Sequence, residues 1–288
     1  MRLLAFSDIH HNLEAVRKLR ASEANSFDAV VVAGDIGSES ASEFFKILST
    51  FNCPVLYVFG NWDHELSYNK VYADNCHLIH SNVVTIGDLH FTGFSGCPTN
   101  WGKNPFARRI LTKTKKADSA QLRVAKSSIL KLNRASVRKA IGSASVDPRK
   151  CVVVTHERLA RLGEEIPGTL LHLFGHIHHY SDRIYKGTRY VDVATLDRPV
   201  RVRPRAKKRW TMEDCGNVNA GNYVTIEINS SQRISAECVY MRREYPDWLP
   251  VEDCSVLAKD WIPEEKRWVN PSMMPTERPS LTSRATPQ

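Results

Sequence analysis

At 288 residues, with 42% hydrophobic and 25% charged side chains, the chain has the make-up of a soluble globular protein, and one large domain or one domain with extensions is expected rather than two equal ones. The opening MRLLAFSDIHHN holds too brief an apolar run for a signal-peptide core, no later stretch approaches a membrane span, and the seven cysteines lack CxxC spacing, which together predict a cytoplasmic protein with reduced thiols and no membrane association. The formal charge of +9 is concentrated: residues 101–150 carry 14 Lys/Arg against Asp118 and Asp147, and residues 201–209 add six bases with no acid. Each basic segment could draw a polyanion such as a nucleic acid strand, or be a solvated face.

In chain order, residues 2–7 read as a buried strand and 11–24 as a helix with apolar positions Leu13, Val16 and Leu19. Strands at 28–33 and 55–59 flank a helix at 43–48, an order that predicts parallel strands with helical crossovers. Residues 83–86 and 90–94 around Gly87-Asp88 read as a hairpin. Within 120–140, Leu122, Ala125, Ile129 and Leu132 recur at helical spacing while Val137 falls one residue off. That stretch predicts an amphipathic helix, continuous or broken near Asn133, in an insertion or a long crossover. Strands return at 151–155 and 170–174, a hairpin at 183–185 and 189–194, and a last antiparallel pair at 223–228 and 234–240. The tail beyond about 270, with Pro271, Pro275, Pro279 and Pro287, is expected to be loose. The sum is two mixed β-sheets packed together with helices outside, in a domain over 1–245 followed by an extension over 246–288.

Five strand ends finish in metal-binding groups: Asp8-Ile-His10, Gly34-Asp35, Gly60-Asn61, Thr155-His156 and Gly175-His176-Ile-His178. Ligands gather at strand ends of open α/β sheets because rigid strands aim several loops at one crevice. Two carboxylates, one amide and four imidazoles suit Mn, Fe, Zn, Co or Ni, and the set contains no soft thiolate. Singly, each group has an ordinary structural use, such as a helix cap, a turn residue or a satisfied strand-end histidine. Their coincidence at five strand ends favours a metal centre.

The ordered blocks SDIHHN (7–12), GD (34–35), GNWDHE (60–65), TH (155–156) and GHIH (175–178) resemble those of the calcineurin-like metallophosphoesterase family. The resemblance implies a four-layer α/β fold, two mixed sheets sandwiched between helices. It also implies two divalent transition-metal ions, Mn or Fe foremost. Asp8, His10 and His178 would hold the first ion, Asn61, His156 and His176 the second, and Asp35 would bridge them. The implied reaction is hydrolysis of a phosphodiester or phosphomonoester by metal-bound hydroxide, on a small phosphoester substrate. Alternatives are a nuclease and an inactive, metal-stabilised binding module.

One departure from the family pattern stands out. A histidine that contacts phosphate and serves the leaving group ordinarily follows the residue matching Asn61; here Trp62 stands there. An indole N–H can donate a hydrogen bond but gives up no proton near neutral pH. His64 and His11 are the two catalytic candidates left to take its place. An Asn/Gly-rich turn at 217–222 is a weaker candidate for the cleft.

Overall fold

Strand β1 (Arg2–Phe6) buries both faces, Leu3 and Ala5 on one side, Leu4 and Phe6 on the other. β2 (Ala29–Val32) repeats the alternation with Ala29 and Val31 against Val30 and Val32. Strands covered on both faces are uninterrupted apolar runs, which is why these segments were legible. In the computed structural model the described residues are 1–23, 26–99, 102–114, 118–178, 180–197, 201–202, 216–217, 221–241, 254–255, 260–262 and 267–269. The remaining elements of the first half are α1 (Leu13–Ser22), α2 (Ala41–Leu48), β3 (Val55–Tyr57), β4 (Cys76–Leu78), β5 (Val83–Ile86) and β6 (Leu89–Phe94). There follow α3 (Ala107–Leu111), α4 (Ser119–Ser143), β7 (Cys151–Thr155), α5 (Leu162–Glu165), β8 (Leu171–Phe174), β9 (Ser181–Tyr185) and β10 (Thr188–Asp192). Short strands β11 (Arg201–Val202) and β12 (Gly216–Asn217) precede β13 (Asn222–Ile228) and β14 (Ile234–Tyr240). The last are β15 (Cys254–Ser255), β16 (Asp260–Ile262) and β17 (Arg267–Val269).

Two six-stranded mixed sheets result, in the orders β14-β13-β1-β2-β3-β4 and β5-β6-β7-β8-β10-β9. Their facing surfaces share one core, with Leu3, Val31, Leu56 and Ile226 from the first sheet and Phe91, Val152, Leu173 and Val191 from the second. Outside the first sheet, Val16 and Leu19 of α1 and Phe44 and Phe45 of α2 pack on Phe6 and Val32. Outside the second, Val137 and Ile141 of α4 and Leu162 of α5 pack on Val153 and Phe174. The four layers expected from the sequence are therefore present.

The basic region is settled on two points that the sequence left open. It is a crossover, because β6 and β7, the strands it joins, are parallel neighbours. Its helix α4 runs unbroken through Asn133, whose side-chain oxygen accepts from Asn104 at 3.1 Å. A buried amide with such a partner need not end a helix. The buried face follows Ala125, Ile129, Asn133, Val137 and Ile141, and Leu122 is exposed. That is an i, i+4 row drawn by contact with the sheet, so Val137 is in register and Leu122 is out. β4, α3 and α5 carried too little pattern for prediction, being three to five residues long. The tail beyond 270, most of 201–209 and the centre of the Asn/Gly turn lie outside the described residues. No helix among the described residues is long and apolar enough to cross a membrane, and the described cysteines Cys53, Cys76, Cys97, Cys151 and Cys238 are free thiols.

Candidate metal centre

Parallel pairing of β1, β2 and β3 in one sheet and of β7 and β8 in the other directs all five expected strand ends to one edge of the sandwich. The chain turns sharply there. Asp8, His10, Asp35, His176 and His178 all adopt left-handed backbone conformations, with φ between 45° and 74°. Such conformations cost non-glycine residues energy and concentrate at functional sites. Close approach needs glycine at two of these ends. A Cβ on Gly60 would fall on the Asp35 carboxylate, and one on Gly175 would fall on Ser7 Oγ and Asp8 Oδ2.

The stretch Gly60–Glu65 now has a physical account. Asp63 is fully buried and accepts from Gly37 N at 2.8 Å and from Gly60 N at 2.7 Å. One carboxylate thus ties the loop after β2 to the loop after β3. Trp62 N donates to Asp35 Oδ1 at 2.8 Å, orienting the Asp35 carboxylate. Burial, then the charge of Asp35, raises the Asp63 pKa to about 6.

All seven residues that the sequence expected to hold metal converge. Donor atoms of Asp8, His10 and His178 lie within 4.8 Å of one another, and so do those of Asp35, His156 and His176. Asp35 Oδ2 stands 3.1 Å from both His10 Nε2 and His156 Nε2, so a single oxygen touches both groups. Asn61 Oδ1 is 3.1 Å from His156 Nε2, and His176 Nδ1 is 3.2 Å from it.

The hydrogen-bond partners of the clustered donors leave room for cations. The His156 ring faces the Ala33 carbonyl through Nδ1 at 2.9 Å. A carbonyl only accepts, so Nδ1 bears the proton, and Nε2 of the neutral ring presents a lone pair. That lone pair faces two oxygens, of Asp35 and Asn61. His10 repeats the arrangement: Nδ1 meets Asp197 Oδ2 at 2.7 Å, and Nε2 meets Asp35. Asp8 Oδ1 is buried and makes no hydrogen bond, with His178 Nε2 3.2 Å away. Acceptors facing acceptors in a buried site call for positive charge between them, and the donor set matches divalent transition metals.

Without metal, protons meet that call. Burial opposes charge on His10, yet its bonds to Asp197 and Asp35 lift its pKa to about 10. His156 reaches about 9 against burial, through the charges of Asp35 and Asp8. Burial acts to raise Asp8 and Asp35, and the facing imidazoles reverse it, holding both carboxyls below their ordinary range. His176, by burial and then by the charge on His156, falls to about 4. Because His10 and His156 are raised above 6.5, their ion pairs stabilise the metal-free fold fully below that value, and the stabilisation is lost as pH rises through 9 to 10. Metal must displace those protons, so uptake near neutral pH is expected to release protons and to tighten with rising pH. Calorimetric titration in buffers of different ionisation enthalpy measures the release; a buffer-independent heat would contradict it.

Three groups at the site went unmarked in the sequence. Asp197, beyond β10, orients His10; an acid five residues after Asp192 at another parallel strand end was the available signal. Asp197→Asn is expected to weaken metal affinity about 10–100-fold, the usual scale for a partner that orients a metal-binding histidine, as read by competition with a chelating dye. Thr195 Oγ1 donates to the Asp8 carbonyl at 2.9 Å, and this too came only with the fold. Cys97 is buried and its Sγ donates to Asn61 Oδ1 at 2.9 Å, which places a thiol beside the seven donors though not among them.

The catalytic candidates lie nearer the surface. The Trp62 indole is 44% exposed and packs against the rings of His10 and His11, at centroid distances of 4.8 and 5.9 Å. His11 Nδ1 pairs with Ser40 Oγ at 3.1 Å. The His64 side chain is 52% exposed, 3.7 Å from Glu65. Neither His11 nor His64 joins the groups of clustered donor atoms among the described residues.

A sequence profile described as the calcineurin-like phosphoesterase superfamily domain matches residues 1–205. The chain belongs to that superfamily. Solved structures similar to this superfamily member include an uncharacterised protein of Streptococcus pneumoniae described as a predicted phosphoesterase. It has 13% identity and a TM-score of 0.41, with 88% of this chain and 94% of that one covered. A phosphopantetheinyl hydrolase of Mycobacterium tuberculosis has 15% identity and a TM-score of 0.40, covering 68% and 88%. An archaeal phosphodiesterase has 12% identity and a TM-score of 0.41, covering 83% and 100%. No curated protein sequence matches the chain.

Proposed function

We propose that the protein is a dinuclear metal-dependent phosphoesterase acting on a small phosphodiester or phosphomonoester. Asp8, His10 and His178 would hold one ion, Asn61, His156 and His176 the other, with Asp35 shared between them. The observation that carries this reading is the single Asp35 oxygen, 3.1 Å from an imidazole of each group. When bound, two such ions supply an acidified water and offset the charge of the phosphoryl oxygens.

The chain's own residues do the rest. The Trp62 backbone N–H holds the Asp35 carboxylate, Asp63 ties together the loops that carry Asp35 and Asn61, and Asp197 and the Ala33 carbonyl fix the ring directions of His10 and His156. Preorganised charge of this kind works because nothing need reorient as the reaction proceeds. The half-exposed Trp62 indole, resting on His10, offers a wall against which an aromatic or base-bearing leaving group can stack. With Trp62 in place of a proton donor, the enzyme favours leaving groups of low pKa. His64 and His11 remain the candidates for assisting poor ones.

Protein loaded with manganese is expected to hydrolyse bis(p-nitrophenyl) phosphate or p-nitrophenyl phosphate, with rates falling steeply as the leaving group becomes more basic. Alkyl esters cleaved as fast as aryl esters would refute the role given to Trp62. If they are, His64→Ala and His11→Ala identify which imidazole serves them. No turnover with Mn, Fe, Co, Ni or Zn would leave the binding-module reading. A nuclease is the second reading, favoured by α4, whose exposed Arg123, Lys126, Lys131, Arg138 and Lys139 meet no acid on the same helix. Strand binding that weakens steeply with salt would support it.

A further inference from the structure

Cys97 lies in the segment after β6, and Glu157 directly follows His156. With His176 they form a third group whose donor atoms, a sulfur, a carboxylate oxygen and an imidazole nitrogen, all lie within 4.8 Å of one another. Neither Cys97 nor Glu157 belongs to the seven residues assigned to the dinuclear centre. The Cys97 thiol is buried and donates to Asn61. Thr155 Oγ1 bonds the Glu157 backbone carbonyl at 2.7 Å, fixing that turn. The Glu157 carboxylate makes no ion pair or hydrogen bond among the described residues, although the field of Lys126 reaches it.

We infer that Cys97, Glu157 and His176 form a zinc-selective inhibitory site that shares His176 with the catalytic pair. The donor chemistry separates the ions. Thiolate favours zinc over manganese, whereas the neighbouring position, built from Asp35, Asn61, His156 and His176, is all oxygen and nitrogen and suits harder ions. Around a tetrahedral zinc, donors at about 2.0–2.3 Å stand roughly 3.3–3.8 Å apart, so side-chain rotation closes the observed spread. Forming the zinc–sulfur bond sends the thiol proton to solvent. It also breaks the hydrogen bond that Asn61 receives and turns His176 from its role beside His156. One zinc ion thereby disturbs two residues of the second metal position.

The inhibition rests on the dinuclear reading; the binding does not, and the experiment separates them. Cobalt(II) added to the full chain is expected to produce a thiolate-to-cobalt charge-transfer band in the near ultraviolet, which zinc abolishes. Cys97→Ser keeps a donor to Asn61 and is expected to remove the band. Absence of the band from the unsubstituted protein overturns the site, as does its persistence in Cys97→Ser, which would assign it to another cysteine. In manganese-loaded enzyme, the zinc concentration giving half-inhibition is expected to rise at least about tenfold in Cys97→Ser or Glu157→Gln, the lower end of what loss of a supporting group costs a metal site. Equal zinc sensitivity in all forms overturns the shared-histidine competition even where the band is seen. An enzyme inactive with every metal but showing the band would refute the phosphoesterase reading and leave the zinc site standing.

Discussion

Asp35→Asn is expected to lower phosphoesterase turnover about 10³-fold, the upper end of what one preorganised charge-stabilising group contributes, and to reduce bound metal from two ions per chain to one. The substitution changes little in size. It leaves an amide where one carboxylate oxygen stands 3.1 Å from His10 Nε2 and from His156 Nε2. An amide presents either an uncharged oxygen or an N–H to those two nitrogens, and neither can join two cations. The local fold should survive, because Asp63 still ties Gly37 to Gly60 and the Trp62 N–H can still donate to an amide oxygen. Metal analysis after gel filtration and near-ultraviolet circular dichroism separate the two effects. Two ions retained, with turnover intact, would remove Asp35 from its bridging place.

Gly175→Ala is the second large effect, and it falls on stability first. The added methyl would occupy the space of Ser7 Oγ and Asp8 Oδ2, both on fully buried residues at the end of β1. Gly175 N is also bonded to the His156 carbonyl at 2.9 Å, so the backbone cannot back away without breaking a tie between β7 and β8. Overpacking of that kind costs about 1–3 kcal/mol, and here the strand-end carboxylate would be pushed out of its group. A lowered thermal midpoint, and loss of the further stabilisation that added manganese gives the parent protein, are the expected results. Gly142→Ala supplies the contrast. Nothing lies within 4 Å of a Cβ there, the residue is exposed in the last turn of α4, and the change is expected to stabilise by about 0.5–1 kcal/mol. Equal effects at the two glycines would refute the account of close approach at Gly175.

Much of this was open to a reader of the sequence. Strands such as Ala29–Val32 and Cys151–Thr155 are apolar at nearly every position because helices cover one face and the opposite sheet the other, and such runs are distinctive. The seven clustered donors were legible for a related reason: each lies within a few residues of the end of one of those runs, where several metal-binding groups rarely coincide. α4 was harder. Its bases and its buried Asn133 obscured the apolar row, and only contact with the sheet shows that Leu122 faces out while Val137 faces in. Asp197 and Cys97 gave weaker signals, since a single acid or thiol in a loop carries no periodicity.

The residue order alone determined the layered class, the parallel strand succession and which side chains could serve a metal, because burial pattern and donor chemistry are properties of short local runs. The folded chain supplied the distances that set Asp35 between two imidazole groups, a place the family resemblance implied, and it alone decided that Asp63 straps two loops together and that a thiol borders Asn61. Those facts depend on distances between segments as much as 121 residues apart, as Asp35 and His156 are, set by strand pairing and by glycines that let backbones meet. No local stretch contains that information.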